Sequence, residues 1–138
     1  MSGPVPVTIL LVQDLSEIPA RLDQWVAVMQ PTAALVFSDC AHTRPDRSVT
    51  LHHVPAAQWL TLPCCLCCMA PTDPRLILLR ALDNGAGAAS QPVDHVVIAV
   101  PAGLLTPVQR ALHTLAPLAS RLGPATVGGN DVDKSLVA

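Results

Sequence analysis

Three apolar runs govern what this chain can fold into. Val5 to Val12 (V-P-V-T-I-L-L-V), Ala33 to Ser38 (A-A-L-V-F-S) and Asp94 to Val100 (D-H-V-V-I-A-V) are short, rich in β-branched residues and close to continuous. A strand that meets water on one face alternates apolar with polar residues, whereas a strand covered on both faces has no need to. These runs therefore predict strands sandwiched between helices. Ser48 to Val54 (S-V-T-L-H-H-V) predicts another strand, with T-R-P-D-R before it as a turn.

The segments between the runs change period. Ser16 with Glu17 opens I-P-A-R-L-D-Q-W-V-A-V-M, where Ile18, Leu22, Trp25, Val26 and Met29 recur at helical spacing and Pro19 suits the first turn. A second helix is predicted from Asp73 or Pro74 to Leu82, with Asp73 as its cap and Leu76, Leu79 and Leu82 on one face. A third is predicted from Pro107 to Leu122 on Val108, Leu112, Leu115 and Leu118. Asp83 to Pro92 reads as a flexible surface connection, and the chain beyond Gly123 as a frayed tail. Strands that alternate with helices imply βαβ units. The expectation is an α/β fold of three layers, a mainly parallel sheet flanked by helices, with one domain over residues 1–122 and a flexible tail over 123–138.

Composition narrows the partners. With 51% hydrophobic and 13% charged residues, the chain lies well below the roughly 25% charge typical of soluble domains. Such a charge-poor surface suits a protein partner or a homo-oligomer. Aromatic residues are confined to Trp25, Trp59 and Phe37, and the formal net charge is -2, so neither stacking platforms nor a basic patch supports nucleic-acid binding. Asp14, Arg21, Asp39, Arg75 and Asp94 interrupt every apolar stretch before the ~18 residues a membrane span needs. The opening M-S-G-P-V-P lacks a basic region and a small-residue cleavage site, so no signal peptide is expected and the expected address is cytoplasmic.

The chemistry is concentrated in P-C-C-L-C-C, Pro63 to Cys68, which holds four of the five cysteines. In a reducing compartment, clustered thiols read as metal-binding or catalytic before they read as disulfides. Adjacent cysteines point in different directions, so Cys64, Cys65, Cys67 and Cys68 can hardly close a tetrahedral zinc site alone; two or three can bind, with the remainder supplied from elsewhere or left open. Thiolates favour zinc or copper(I), and cobalt(II) is admissible. His52 and His53 are the nearest imidazoles in sequence, with His42 and His95 further off. A redox dithiol ahead of a helix N-terminus and simple core packing are the competing readings of the cluster. Cys40 on its own reads as a small hydrophobe. No G-x-S-x-G elbow occurs, the carboxylates are scattered, and the G-x-G at Gly85 does not follow a strand, so hydrolase and dinucleotide readings fall away.

The run C-C-L-C-C-M-A-P-T-D-P-R-L-I-L-L-R-A-L, followed by D-H-V-V-I-A-V-P-A-G-L-L-T-P, resembles the CobW-type P-loop GTPases and metallochaperones. That family carries a G-C-x-C-C metal loop, an Asp before an amphipathic helix, and a D-x-h-h-I-E strand (h apolar) leading to a glycine-containing turn. The resemblance implies that Cys65, Cys67 and Cys68 are metal ligands, with Cys64 at the glycine position, Asp73 at the following aspartate, and Asp94, Ile98 and Gly103 on the later strand and turn. The opening strand resembles the one that leads into the family's phosphate loop. Here, however, L-V-Q-D-L-S-E-I-P-A-R-L has neither glycine nor lysine, and Asp14 and Glu17 put negative charge where a phosphate would sit. The only lysine is Lys134, the acidic residue after V-V-I is replaced by Ala99 or Val100, and N-K-x-D is absent. The resemblance therefore implies a truncated P-loop NTPase-like fold with a degenerate nucleotide site, a non-catalytic protein handling zinc or cobalt through C-x-C-C, with GTP hydrolysis not expected. The alternatives are an interaction module that pairs with a P-loop partner or with itself, and a thiol redox protein.

Overall fold

A computed structural model describes residues 3–39, 49–63, 66–85 and 91–128. Five strands form one sheet: β1 (Val5–Val12), β2 (Ala34–Ser38), β3 (Val49–His53), β4 (His95–Pro101) and β5 (Leu122–Gly128). Their order is β3-β2-β4-β1-β5, and every neighbouring pair is parallel. Helices α1 (Ile18–Met29), α2 (Pro74–Asn84), α3 (Leu105–Thr114) and α4 (Ala116–Ala119) connect them.

The pleat explains the near-continuous apolar strands, because successive side chains go to opposite faces and both faces are covered. Val5, Val7, Ile9 and Leu11 of β1, Leu35 and Phe37 of β2, and Val96, Ile98 and Val100 of β4 join one core with Leu78 of α2, Val108 and Leu112 of α3 and Leu118 of α4. The intervening residues, Leu10, Val12, Ala34, Val36, Val97 and Ala99, pack on the other face against Ile18, Leu22 and Trp25 of α1. Helix α1 therefore covers one face while α2, α3 and α4 cover the other. No helix among the described residues is long and apolar enough to cross a membrane.

Two expectations need correction. The predicted helix over 107–122 is broken: α3 ends at Thr114, Leu115 is extended (φ -100, ψ 103), and α4 restarts at Ala116. Pro117 is the cause, since it cannot donate to the carbonyl four residues back and its ring collides with that group. The expected tail also begins too early, because Leu122–Gly128 forms β5, paired with β1 from Val5↔Leu122 to Leu10↔Gly128 with a register shift between Val5 and Val7. Pro124 is tolerated because β5 is an edge strand with that irregularity in its pairing. Residues 129–138 lie outside the described residues.

Opposite crossovers create the position that matters for ligands. From β1 the chain leaves through α1 on one face; from the adjacent β4 it leaves through α3 on the other face. In open α/β sheets that divergence opens a crevice at the carboxyl ends of the strands. Because all strands are parallel, the segments after β1, β3 and β4, including the cysteine turn ahead of α2, lie at this same edge.

Candidate functional site

At this carboxyl edge, two N–H groups of the turn after β1 are taken up by the chain's own carboxylates. Asp14 Oδ1 accepts the Ser16 N–H at 3.1 Å, and Glu17 Oε2 accepts the Asp14 N–H at 3.1 Å. This is a reciprocal capping box around the helical turn Leu15–Glu17, which runs on into α1. The cap is thus Asp14 rather than Ser16, and the spacing D-x-x-E in D-L-S-E is the signal that marks it. Backbone N–H groups in such a turn are the donors an anion would use; here two of them are engaged by carboxylates. Next to β1, β4 runs into the turn Ala102–Leu104, in which Gly103 has open space around it.

The cysteine segment stands ahead of α2 at the same edge. Cys67 and Cys68 sit in a short helical turn, Leu66–Cys68, both exposed, with their sulfurs 3.9 Å apart. Two thiolates on one tetrahedral zinc, each at about 2.3 Å, stand roughly 3.8 Å apart. The 3.9 Å separation is that of two sulfurs in contact and lies close to this value. Cys64 and Cys65, like Cys40 and His42, lie outside the described residues. Among the described residues, no three His, Cys, Asp or Glu side chains come together as a metal-holding group.

Three of the imidazoles make contacts of their own. His52 of β3 stacks on Phe37 of β2, ring centroids 5.6 Å apart, and burial pushes its pKa below the ordinary value. His53 Nε2 donates to Asp39 Oδ1 at 3.1 Å, while Asp39 Oδ2 accepts the Ala56 N–H at 2.9 Å, so Asp39 ties the end of β2 to the segment after β3. His95 packs edge-on to Trp25, with its Nδ1 3.4 Å from Asp94 Oδ1.

The two aspartates carried by the family resemblance divide. Asp94 lies at the opposite edge of the sheet, where its carboxylate accepts the N–H groups of Thr32 at 2.7 Å and Ala33 at 3.0 Å and joins the starts of β2 and β4. Burial raises its pKa, but those two N–H groups and His95 outweigh burial and hold it below the ordinary carboxylate value. Asp73 caps α2 by accepting the Arg75 N–H at 2.9 Å, and it also forms a buried ion pair with Arg75, Nη2 to Oδ2 at 2.9 Å and Nε to Oδ1 at 3.1 Å. Arg75 then reaches back to the Pro63 carbonyl at 2.6 Å. Sequence reasoning assigned Arg75 no role in the site, and its contact spans twelve residues, beyond any local motif. Comparison with known protein families, with characterised proteins and with solved structures returned no match to this chain.

Proposed function

We propose that the protein is a non-catalytic, CobW-like metal-binding protein that holds zinc, or alternatively cobalt, through Cys65, Cys67 and Cys68, with Cys64 beside them. The observation that carries the reading is the exposed Cys67–Cys68 pair, with a sulfur separation suited to one tetrahedral ion. Its setting supports the reading, because the pair lies at the carboxyl edge of a parallel sheet, where α/β folds bind ligands. The capping box at Asp14 and Glu17 supports the non-catalytic half, since the donors after β1 already serve carboxylates. Bound zinc would leave thiolates where thiols stood, so affinity would rise with pH. The chain's own task is to hold two sulfurs at ligand spacing on a fixed turn and to leave them accessible to an incoming ion.

The test is equilibrium zinc titration of the reduced protein beside a Cys65→Ser, Cys67→Ser, Cys68→Ser triple variant, with metal content measured by mass spectrometry on protein purified without chelator. Tight binding to the wild type and its loss in the variant is the expected result. Indistinguishable weak binding in both would remove the proposal. Cobalt(II) substitution provides a second readout through thiolate-to-metal absorption.

A further inference from the structure

Three contacts hold residues on either side of the turn Leu66–Cys68, at Pro63 before it and at Ala70 and Thr72 after it. Arg75 Nη2 donates to the Pro63 carbonyl at 2.6 Å, the Asp73 N–H donates to the Ala70 carbonyl at 2.9 Å, and Gln58 Nε2 donates to the Thr72 carbonyl at 3.1 Å. The Asp73 contact belongs to an ordinary helix entry. Arg75 requires a separate reason. A cation in the first turn of a helix is opposed by the helix dipole, and burying a guanidinium is costly unless it is fully partnered.

Arg75 is only 2% exposed, and α2 already has its cap in the Asp73 carboxylate. What the guanidinium adds is a tie from the rigid start of α2 to Pro63, the residue just ahead of the cysteines. Asp73 holds the guanidinium by two of its nitrogens and thereby fixes its direction. This is a fork geometry that a lysine cannot reproduce.

We propose that Arg75 is a positioning residue for the cysteine turn: held by Asp73, it fixes Pro63 to the N-terminus of α2 and so presets the Cys67–Cys68 pair for its ion. The inference rests on the metal-binding reading above. Outer groups that orient metal ligands are typically worth about tenfold to a hundredfold in metal affinity.

The test uses the full chain with Asp73→Asn and Arg75→Met combined, so that no unpaired charge is left buried and the asparagine still caps α2. Zinc affinity is measured by competition with a chromophoric chelator, and amide hydrogen exchange is followed in the metal-free protein. The expected result is a fold retained by circular dichroism, zinc affinity lower by about tenfold to a hundredfold, faster exchange confined to residues 66–70, and partial recovery in the single Arg75→Lys variant. An affinity within about twofold of wild type, or unchanged exchange at 66–70, overturns the proposal. If the wild type itself binds no zinc, the metal-binding reading fails instead, and the exchange data still decide whether Arg75 orders the turn.

Discussion

The buried ion pair at the start of α2 allows a sharp energetic prediction. Asp73 and Arg75 are each 2% exposed, and the Asp73 carboxylate accepts from the Arg75 backbone N–H, Nε and Nη2. Replacing Asp73 with Asn keeps a side-chain oxygen for the cap but leaves the guanidinium buried beside a neutral amide. Removing one partner of a buried pair typically costs about 3–5 kcal/mol. Arg75→Met leaves the carboxylate unpaired and belongs in the same range. The double variant loses both charges and keeps the cap, so its cost is at most about 2 kcal/mol, the residue being the lost Pro63 tie. The cycle therefore predicts a coupling of about 4 kcal/mol or more between the two side chains. Asp73→Ala adds the loss of the cap, about 1 kcal/mol, and takes a large part of the roughly 5–15 kcal/mol that keeps a domain folded. Urea denaturation followed by fluorescence of the buried Trp25 and Trp59, checked against far-UV circular dichroism for two-state behaviour, measures each corner. A cost below about 1 kcal/mol for Asp73→Asn, or a coupling below about 1 kcal/mol, would refute the claim that this pair is a desolvated, mutually dependent unit.

Two further outcomes follow from the rest of the molecule. Burial holds the folded-state pKa of His52 below the ordinary 6.5, so the unfolded chain takes up a proton before the folded one does; stability should be unaffected by His52 above about pH 6.5 and fall as pH drops below it. His52→Phe preserves a ring over Phe37 and should flatten that part of the urea-midpoint profile between pH 7 and 5; an unchanged profile contradicts the burial. Ending the chain at Arg121 removes β5 and bares the edge of β1, V-P-V-T-I-L-L-V, which carries no charge to discourage strand addition. The shortened protein should sediment as concentration-dependent aggregates, and a soluble monomer with an unchanged melting temperature would show that β5 does not protect that edge.

How much was legible depended on how local the signal was. Strand β1 and helix α1 have the bounds their patterns predict, Val5–Val12 and Ile18–Met29, because eight apolar-rich residues and a clear 3.6-residue period each suffice alone. Strand β5 was hidden because Gly123, Pro124 and Gly128 are turn residues by composition, and only pairing with β1 makes the segment a strand. The break at Leu115 was masked by the even leucine spacing on either side of it, although Pro117 carried the warning. In the candidate site the thiols are plain in the sequence, whereas the Arg75 contact to Pro63 is a tertiary fact. Asp94, which the family resemblance placed on the later strand, proves to join the starts of β2 and β4 at the edge away from the cysteine turn.

The turn after β1 and the turn before α2 answer the same structural opportunity with opposite chemistry. Both stand at the carboxyl edge of a parallel sheet, a place where exposed N–H groups favour anions. After β1, an incoming phosphate would have to displace Asp14 from the Ser16 N–H and Glu17 from the Asp14 N–H, and would then face both carboxylates at close range. Neutralising those two residues would free the donors without creating a phosphate site, because the chain's single lysine is Lys134 and no glycine stands between Val12 and Leu22 to let a backbone wrap an anion. Before α2, the described side chains offered to solvent include two sulfurs, soft donors that favour a thiophilic cation over phosphate. The proposed metal-binding reading thus draws on the two sulfurs before α2, while the turn after β1 has two of its N–H donors engaged by carboxylates. That is why a zinc titration, rather than a nucleotide assay, is the experiment that bears most directly on this chain.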